Sequence, residues 1–342
     1  MVRNLGANRQ NPPKRHHYVA ETYQKGFADV DEKLWLYDRH LQQYRKVHPK
    51  HICVENDLYT IDPEDTRNSF IESEWLSKLD GEAATAIRLF QKRFPFDREW
   101  RESFSIFIAQ QITRSPSFRD MTIANFRAMG EEILRLGFSD VERASELLER
   151  YHKHTGKTLP EKITAQSLVE AKDEVYVTVT ERPFLEYMMK GVAFLARWIE
   201  RFNWEVLVSP RNTGFIICDY PFTVVPPRSN PGAIGIAAIG ATKYFPLTRQ
   251  LCLRMTAPEF QFSYQTASKQ EIRTINQNVA VNSERFIMGP NRKQVEFIIA
   301  RSGTTRPDPI PRTTTDVIHR DDDNGLIRFS MWPRRRYFYL SG

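Results

Sequence analysis

The first residues able to do chemistry are two adjacent histidines, His16 and His17, which follow a polar, basic stretch. Histidine titrates near neutral pH and serves as a general base or a metal ligand. Neighbouring residues of a strand point to opposite faces, so one histidine would face inward and the other outward. We favour His16 as the inward residue, with His17 as the alternative. A half-buried structural histidine is the other interpretation.

A carboxylate, Asp219, follows the apolar run "GFIIC" and stands two residues before Pro221. A strand can hold such an acid at a solvent edge, where it would bind a divalent metal such as Mg²⁺ or activate water. Asp219 and His16 are therefore the predicted metal ligands. The alternative is an aspartate that caps the following turn.

The segment "AQQITRSPSFR" brings together an amide and two guanidinium groups, those of Gln111, Arg114 and Arg119. Gln111 and Arg114 are three residues apart and share one face of a predicted helix. Arginines near Asp219 would bind a phosphate or a carboxylate through paired hydrogen bonds. The alternative for Arg114 is a charge that interacts with the dipole at the end of its helix.

Asn276 lies on the apolar face of a predicted helix together with Ile272 and Val279. A buried amide is expected there, hydrogen-bonded either within the protein or to a ligand.

Three consecutive arginines close to the C-terminus precede aromatic residues that could stack on nucleic-acid bases. They are predicted substrate-binding residues: Arg334, Arg335 and Arg336.

Composition limits the class of protein. The 342 residues are 41% hydrophobic, which is enough for a packed core, and the net charge of +7 makes nucleic acid or a nucleotide a plausible partner. No signal peptide and no apolar run of about 18 residues is visible, so a cytoplasmic location without membrane contact is expected. The three cysteines form no CxxC pair, and phosphate-binding loops and the common hydrolase motifs are absent.

The hydrophobic periodicity predicts how these residues are positioned. Short strands are expected first, with a hairpin in "KLWLYDRHLQQYRKV", then a helical middle over 66–202, and then antiparallel strands. This order predicts an α+β fold in which the two strand-forming segments meet. We expect a flexible basic arm over 1–15 and one domain over 16–300. Over 301–342 we expect a loose tether and a terminal aromatic, basic strand.

Several short motifs occur in a recognisable order. The opening "HHYV", then "GF", "LWLYD" and "LYTID", resembles the start of a mainly bacterial family called domain of unknown function number 4238. The later segments "QITRSPSFR", "IICDYPF", "YFPLTRQLCLRM" and "INQNVAVNSERFI" are similar to later segments of that family. The resemblance covers roughly residues 14 to 290.

The resemblance implies that five polar residues belong to a shared pattern, and it implies no reaction. Three positions depart from the family: Ala20 stands where proline is usual, Gln24 where leucine is usual, and Tyr220 where asparagine is usual. The five residues of the pattern are His16, Gln111, Arg114, Asp219 and Asn276.

These features support three hypotheses. The first is a hydrolase of a phosphodiester or another phosphate-containing substrate, which would suit a bacterial toxin or defence nuclease, with Arg114 stabilising developing negative charge. The second is a non-catalytic module that binds nucleic acid or a nucleotide. The third is a structural partner in a larger assembly.

Overall fold

The computed structural model describes residues 15–56, 58, 76–94, 98–174, 176–179, 181–232, 235–303, 312–318 and 326–332. Strands come first, helices occupy the middle and strands return, which confirms the predicted α+β fold. The helices in these ranges are α1 Glu21–Lys25, α2 Ser77–Gln91, α3 Arg98–Thr113, α4 Pro116–Gly137, α5 Val141–Thr155, α6 Ala165–Glu170, α7 Glu181–Arg201, α8 Lys269–Asn282 and α9 Arg292–Ser302. The strands are β1 Arg15–His17, β2 Leu34–Asp38, β3 Gln43–Val47, β4 Val54–Asn56, β5 Trp204–Val208, β6 Ile217–Cys218, β7 Thr223–Val225, β8 Thr242–Thr248, β9 Leu251–Met255, β10 Phe262–Thr266, β11 Phe286–Gly289, β12 Arg312–Ile318 and β13 Leu326–Trp332.

One sheet joins the two ends of the sequence. Strands β2 and β3 form the predicted hairpin, in which Tyr37 pairs with Tyr44 and their rings lie 4.8 Å apart. The sheet order is β3-β2-β11-β6, with antiparallel pairing throughout. The N-terminal and C-terminal strand segments therefore meet, as the sequence predicts.

A second, larger sheet consists of C-terminal strands alone, in the order β10-β5-β9-β8-β7. Its pairs are antiparallel except that β10 runs parallel to β5. Most side chains of β8 and β9 are buried, because helices cover this sheet.

Aromatic side chains dominate the core between the helices and the larger sheet. The ring of Phe245 on β8 lies 5.1 Å from that of Tyr23, 6.4 Å from that of Phe104 and 6.2 Å from that of Phe107. The apolar stripe of α3 predicted from helical spacing supplies two of these rings. Truncating one such buried ring to alanine costs about 3–5 kcal/mol.

Local sequence signals set several helix ends. Pro116 is the first residue of α4, and Pro183 lies in the first turn of α7, where a missing N–H costs nothing. Asp140 caps α5, and Gly156 ends it in the left-handed conformation with φ of 64°. Of the helices in the described ranges, none has the length and apolar character needed to span a membrane.

The chain divides into two compact units. The larger contains residues 1–118 and 185–342, and the smaller contains residues 119–184. The single domain expected over 16–300 therefore includes a segment whose contacts are mostly internal. In the smaller unit, Gly130 on α4 lies close to Val177, and a Cβ on that glycine would stand 3.2 Å from the valine side chain.

The C-terminal region differs in part from the expected tether. Residues 312–318, within the predicted loose segment, form strand β12, which pairs with β13 in a separate two-stranded sheet. Threonine and valine in this stretch favour a strand, although the prolines that precede it and its charged residues suggest a loop. The predicted basic arm lies outside the described residues apart from Arg15, and Arg334, Arg335 and Arg336 also lie outside them.

Candidate functional site

The two histidines lie on β1, which pairs with β4 so that His16 stands opposite Glu55. His16 is buried, at 4% exposure, and His17 is half-buried. The strand thus turns its adjacent side chains to different environments, and the buried member is the one favoured from the sequence.

Arg114, at the end of α3, is buried at 1% exposure and binds the protein itself. Its Nε donates to the backbone carbonyl of Tyr18 over 2.8 Å, and its Nη1 donates to Asp80 Oδ1 over 3.3 Å. Burial raises the pKa of Asp80, while the charges of Arg114 and His17 act against that rise. Arg114 therefore fixes the chain after β1 to the helical layer.

Two glutamines hold the turn that follows β1. The backbone N–H of Ala20 donates to Gln111 Oε1 over 3.4 Å. Gln24 Nε2 donates to the carbonyls of Val19 and Ile52, at 2.8 and 3.4 Å. Proline at position 20 would lack the N–H that Gln111 accepts here. The departures from the family pattern at positions 20 and 24 therefore each provide a hydrogen bond.

Asp219 is 4% exposed and accepts three backbone hydrogen bonds from the segment between α8 and β11. Its Oδ1 accepts from the N–H of Glu284 over 2.9 Å, and its Oδ2 accepts from those of Arg285 and Phe286 over 2.6 and 3.0 Å. Burial raises the pKa of Asp219, and the three N–H groups oppose this. Asp219 follows strand β6, and its carboxylate caps the backbone of residues 284–286, which are distant in sequence.

Tyr18 and Cys53 connect Arg114 with Asp219. The backbone N–H of Tyr18 donates to the carbonyl of Cys53 over 2.9 Å, and burial raises the pKa of both side chains well above the ordinary range. The Cys53 thiol lies close enough to Asp219 and Arg114 for their charges to affect its pKa. Cys53 also has a left-handed backbone, with φ of 54°. We call these five residues the buried network: Asp80, Arg114, Tyr18, Cys53 and Asp219.

The buried network contains part of the predicted site. In the described ranges, no three His, Cys, Asp or Glu side chains are close enough together to hold a metal ion. The metal site predicted for Asp219 and His16 therefore has no third His, Cys, Asp or Glu ligand among the described residues. Arg119 belongs to the smaller unit, where its Nε donates to Asp120 over 3.1 Å.

A cavity of about 660 Å³ lies in the larger unit between α8 and α9, bordered by the connecting segments 29–30, 212–214, 249–250 and 290–291. We call it the basic cavity because four cations line it: Arg249, Lys269, Arg273 and Lys293. Of the predicted site residues with described side chains, Asn276 alone lines this cavity.

The backbone at Gly214 forms the floor of the basic cavity, and two side-chain amides hold it in place. The carbonyl of Gly214 accepts from Asn276 Nδ2 over 2.8 Å and from Gln294 Nε2 over 2.7 Å. Asn276 Oδ1 accepts from the N–H of Ile216 over 3.1 Å. A Cβ at position 214 would lie 2.7 Å from the carbonyl oxygen of Arg249, so this close approach requires glycine. Asn276 is buried as expected, and these hydrogen bonds join it to the protein itself.

The backbone of Arg249 is fixed on both sides. Its N–H donates to the carbonyl of Gly26 over 3.1 Å, and its own carbonyl accepts from the N–H of Phe215 over 2.9 Å. The Gly-Phe motif near the N-terminus therefore helps to place a cation at the cavity.

The four cations have no ion pair with any described carboxylate. Among the described lining residues the one acid is Asp29, which binds Lys46 at 2.8 Å. Desolvation acts to raise the pKa of Asp29, but its bonds to Lys46 and to backbone N–H groups lower it overall. The cavity therefore carries an uncompensated positive charge.

Sequence reasoning missed these cations because they come from separate elements. One signal was present: Lys269, Arg273 and Gln277 recur every four residues and share a polar face of α8. Arg249 and Lys293 carry no such pattern, because a turn and a second helix bring them to the cavity.

Comparison with known proteins identifies the family. Among the curated proteins and among the solved structures, none matches the chain significantly. A family model described as protein of unknown function (DUF4238) matches residues 15–293, which is well over half of the sequence. The chain therefore belongs to this family, as its ordered motifs predict.

Proposed function

We propose that the basic cavity binds a phosphate-bearing anion, which would be either a nucleotide or a nucleic acid. The observation that carries this proposal is the set of four cations around one cavity without a described carboxylate partner. An arginine can bind two phosphate oxygens at once, and a lysine supplies a mobile point charge. Like charges held together without a counter-charge repel one another, and a bound anion relieves that repulsion.

The start of α9 adds to the positive potential. Asn291 caps this helix by accepting the N–H of Gln294 over 2.8 Å, and both residues line the basic cavity. Lys293 lies in the first turn. The N-terminus of a helix carries a partial positive charge and presents N–H groups, both of which favour phosphate.

Nucleic acid remains a candidate ligand because of the net charge of +7. Arg334, Arg335 and Arg336 would add phosphate contacts outside the cavity, and their role stays a prediction. Each neutralised phosphate makes binding more sensitive to salt.

Hydrolysis of a phosphodiester also stays a prediction. Asp219 and Arg114, which would carry it, bind backbone groups or Asp80 in the described contacts, and these contacts favour a role in holding the fold. The open, uncompensated charge lies at the basic cavity instead. Binding is therefore the function that this geometry supports best.

The test is titration calorimetry with pyrophosphate and with a single-stranded oligonucleotide as probes. The double variant Lys269→Gln/Lys293→Gln should weaken binding by about tenfold and reduce the slope of affinity against salt. Lys190→Gln is the matched control, since Lys190 is exposed on α7 and does not line the cavity. The proposal would be overturned if neither probe binds, or if the control variant loses as much affinity as the double variant.

A further inference from the structure

The basic cavity has more than cations on its walls. Three amide side chains line it without a hydrogen bond to another described residue: Asn212, Gln250 and Gln277. An amide both donates and accepts, which inorganic phosphate does not need, because phosphate mainly requires donors. Such groups suit the polar edge of a base or the hydroxyls of a sugar.

The same cavity also has an apolar wall. Ile272 and Ile298 are buried where they line it, and Phe297 is 38% exposed. The guanidinium of Arg273 lies 5.7 Å from the Phe297 ring centre, and that of Arg301 lies 3.7 Å from it. A guanidinium held against an aromatic ring presents a flat surface, on which a planar base can stack.

The size of the cavity limits the ligand. Its volume of about 660 Å³ is within the range of roughly 300–1,000 Å³ typical of sites for small organic ligands. Five separate segments surround it, including the tip of a loop at Asp29 and Val30. A site that grips a nucleic-acid strand is instead a groove that follows several phosphates.

We propose that the basic cavity is a site for one nucleoside phosphate, with the phosphate at the four cations and the base or ribose against the amides and the apolar wall. This inference rests on the proposed function and narrows it from any phosphate-bearing anion to a mononucleotide. Arg273 has two roles in it, since it contributes charge and lies against the ring of Phe297. The three amides are the residues that distinguish a nucleotide from phosphate alone.

The experiment compares three kinds of probe on the full chain by titration calorimetry: the mononucleotides AMP, GMP, CMP and UMP, pyrophosphate, and a single-stranded oligonucleotide without a terminal phosphate. At least one mononucleotide should bind with one-to-one stoichiometry, about tenfold or more tighter than pyrophosphate. It should also compete with any binding of the oligonucleotide at this site.

Variants separate the two parts of the site. Gln250→Ala/Gln277→Ala should weaken the preferred mononucleotide by about tenfold and leave pyrophosphate within about twofold. Lys269→Gln/Lys293→Gln should weaken both probes. Gln91→Ala is the control for the amides, because Gln91 is exposed at the end of α2 and does not line the cavity.

The outcomes distinguish this inference from the proposed function. Equal affinity for pyrophosphate and every mononucleotide, with no effect of the amide variant, would overturn the inference and leave anion binding standing. Tight binding of the oligonucleotide that no mononucleotide displaces would do the same, in favour of a nucleic acid. If no probe binds, both fail.

Discussion

Two polar regions of the larger unit use their hydrogen-bonding groups in opposite ways. In the buried network, Asp219 accepts three backbone N–H groups, and Arg114 binds a carbonyl and a carboxylate. In the basic cavity, cations such as Lys269 line an open space and have no carboxylate partner among the described residues. Amides such as Gln277 line the same space, and their side chains have no hydrogen-bond partner among those residues. The first region serves the fold, and the second has capacity left for a ligand.

The difference shows why residue type alone does not identify a site. Aspartate and arginine are among the residues most used in catalysis, yet here Asp219 and Arg114 are buried and satisfy backbone groups that would otherwise be unpaired. The cations of the cavity belong to types common on any surface. Their significance comes from convergence around one space, which only the folded chain shows.

The largest effect that would test this comparison is expected at Asp219. Asp219→Ala leaves three backbone N–H groups without their acceptor and should lower the free energy of unfolding by about 3–5 kcal/mol. Asp219→Asn, which keeps one acceptor oxygen, should lose less. Urea denaturation measures both. A variant that keeps wild-type stability but loses metal-dependent phosphodiesterase activity would instead support the hydrolase prediction.

The next effect is expected at the cavity floor. In Gly214→Ala, the added methyl group would lie 2.7 Å from the carbonyl of Arg249, so the floor must move. We expect a loss of about 1–3 kcal/mol of unfolding free energy and weaker binding of pyrophosphate. Gly235→Ala is the control, because a Cβ there meets no atom within 4 Å. Unchanged binding in Gly214→Ala would show that the floor does not shape the site.

Asn276 tests charge at the cavity separately from structure. Asn276→Asp removes the donor to the Gly214 carbonyl and places a negative charge among the cations. Asn276→Ala removes this hydrogen bond and the one accepted from the N–H of Ile216, and it adds no charge. Both should lose about 1–3 kcal/mol of stability, but the aspartate variant should bind pyrophosphate about tenfold more weakly than the alanine variant. Calorimetry that gives equal affinities would argue against an anion near Asn276.

The smallest effects are two pH dependences of opposite sign. The pKa of Asp80 in the buried network is raised by burial, so its contribution to stability is present at low pH and decreases as pH rises above about 4. The pKa of Asp29 at the cavity is lowered, so its contribution is present above about pH 4 and is lost as pH falls further.

The measurement is the difference in unfolding free energy between wild type and each of Asp80→Asn and Asp29→Asn, followed across this pH range. The two differences should slope in opposite directions. Parallel slopes would mean that the two regions shift the pKa of a carboxylate in the same direction.

Much of the fold could be predicted because local patterns report local structure. The hairpin of β2 and β3 follows from alternating residues around a turn, and the buried stripe of α3, with Phe104 and Phe107, follows from helical spacing. The burial of Asn276 follows in the same way from its apolar neighbours on α8.

The contacts between distant segments could not be predicted from these patterns. The partners of Asp219 are backbone N–H groups more than 60 residues away, and a backbone group has no residue-type signal. The basic cavity likewise needs the β8–β9 turn, α8 and α9 to converge, which depends on tertiary packing. Strand β12 was missed because proline and charge obscured its threonine-rich core.

The sheet order β3-β2-β11-β6 has a consequence for the time course of folding. Asp38 at the end of β2 is fully buried, and the Nη2 of Arg285, 247 residues later in the chain, donates to it over 3.0 Å. Closing so long a loop slows folding, since the ordering entropy is lost before the distant contact forms. During synthesis the N-terminal hairpin has an unpaired sheet edge at β2 until β11 has left the ribosome. Chains that stop before β11 therefore expose this edge, which favours their aggregation.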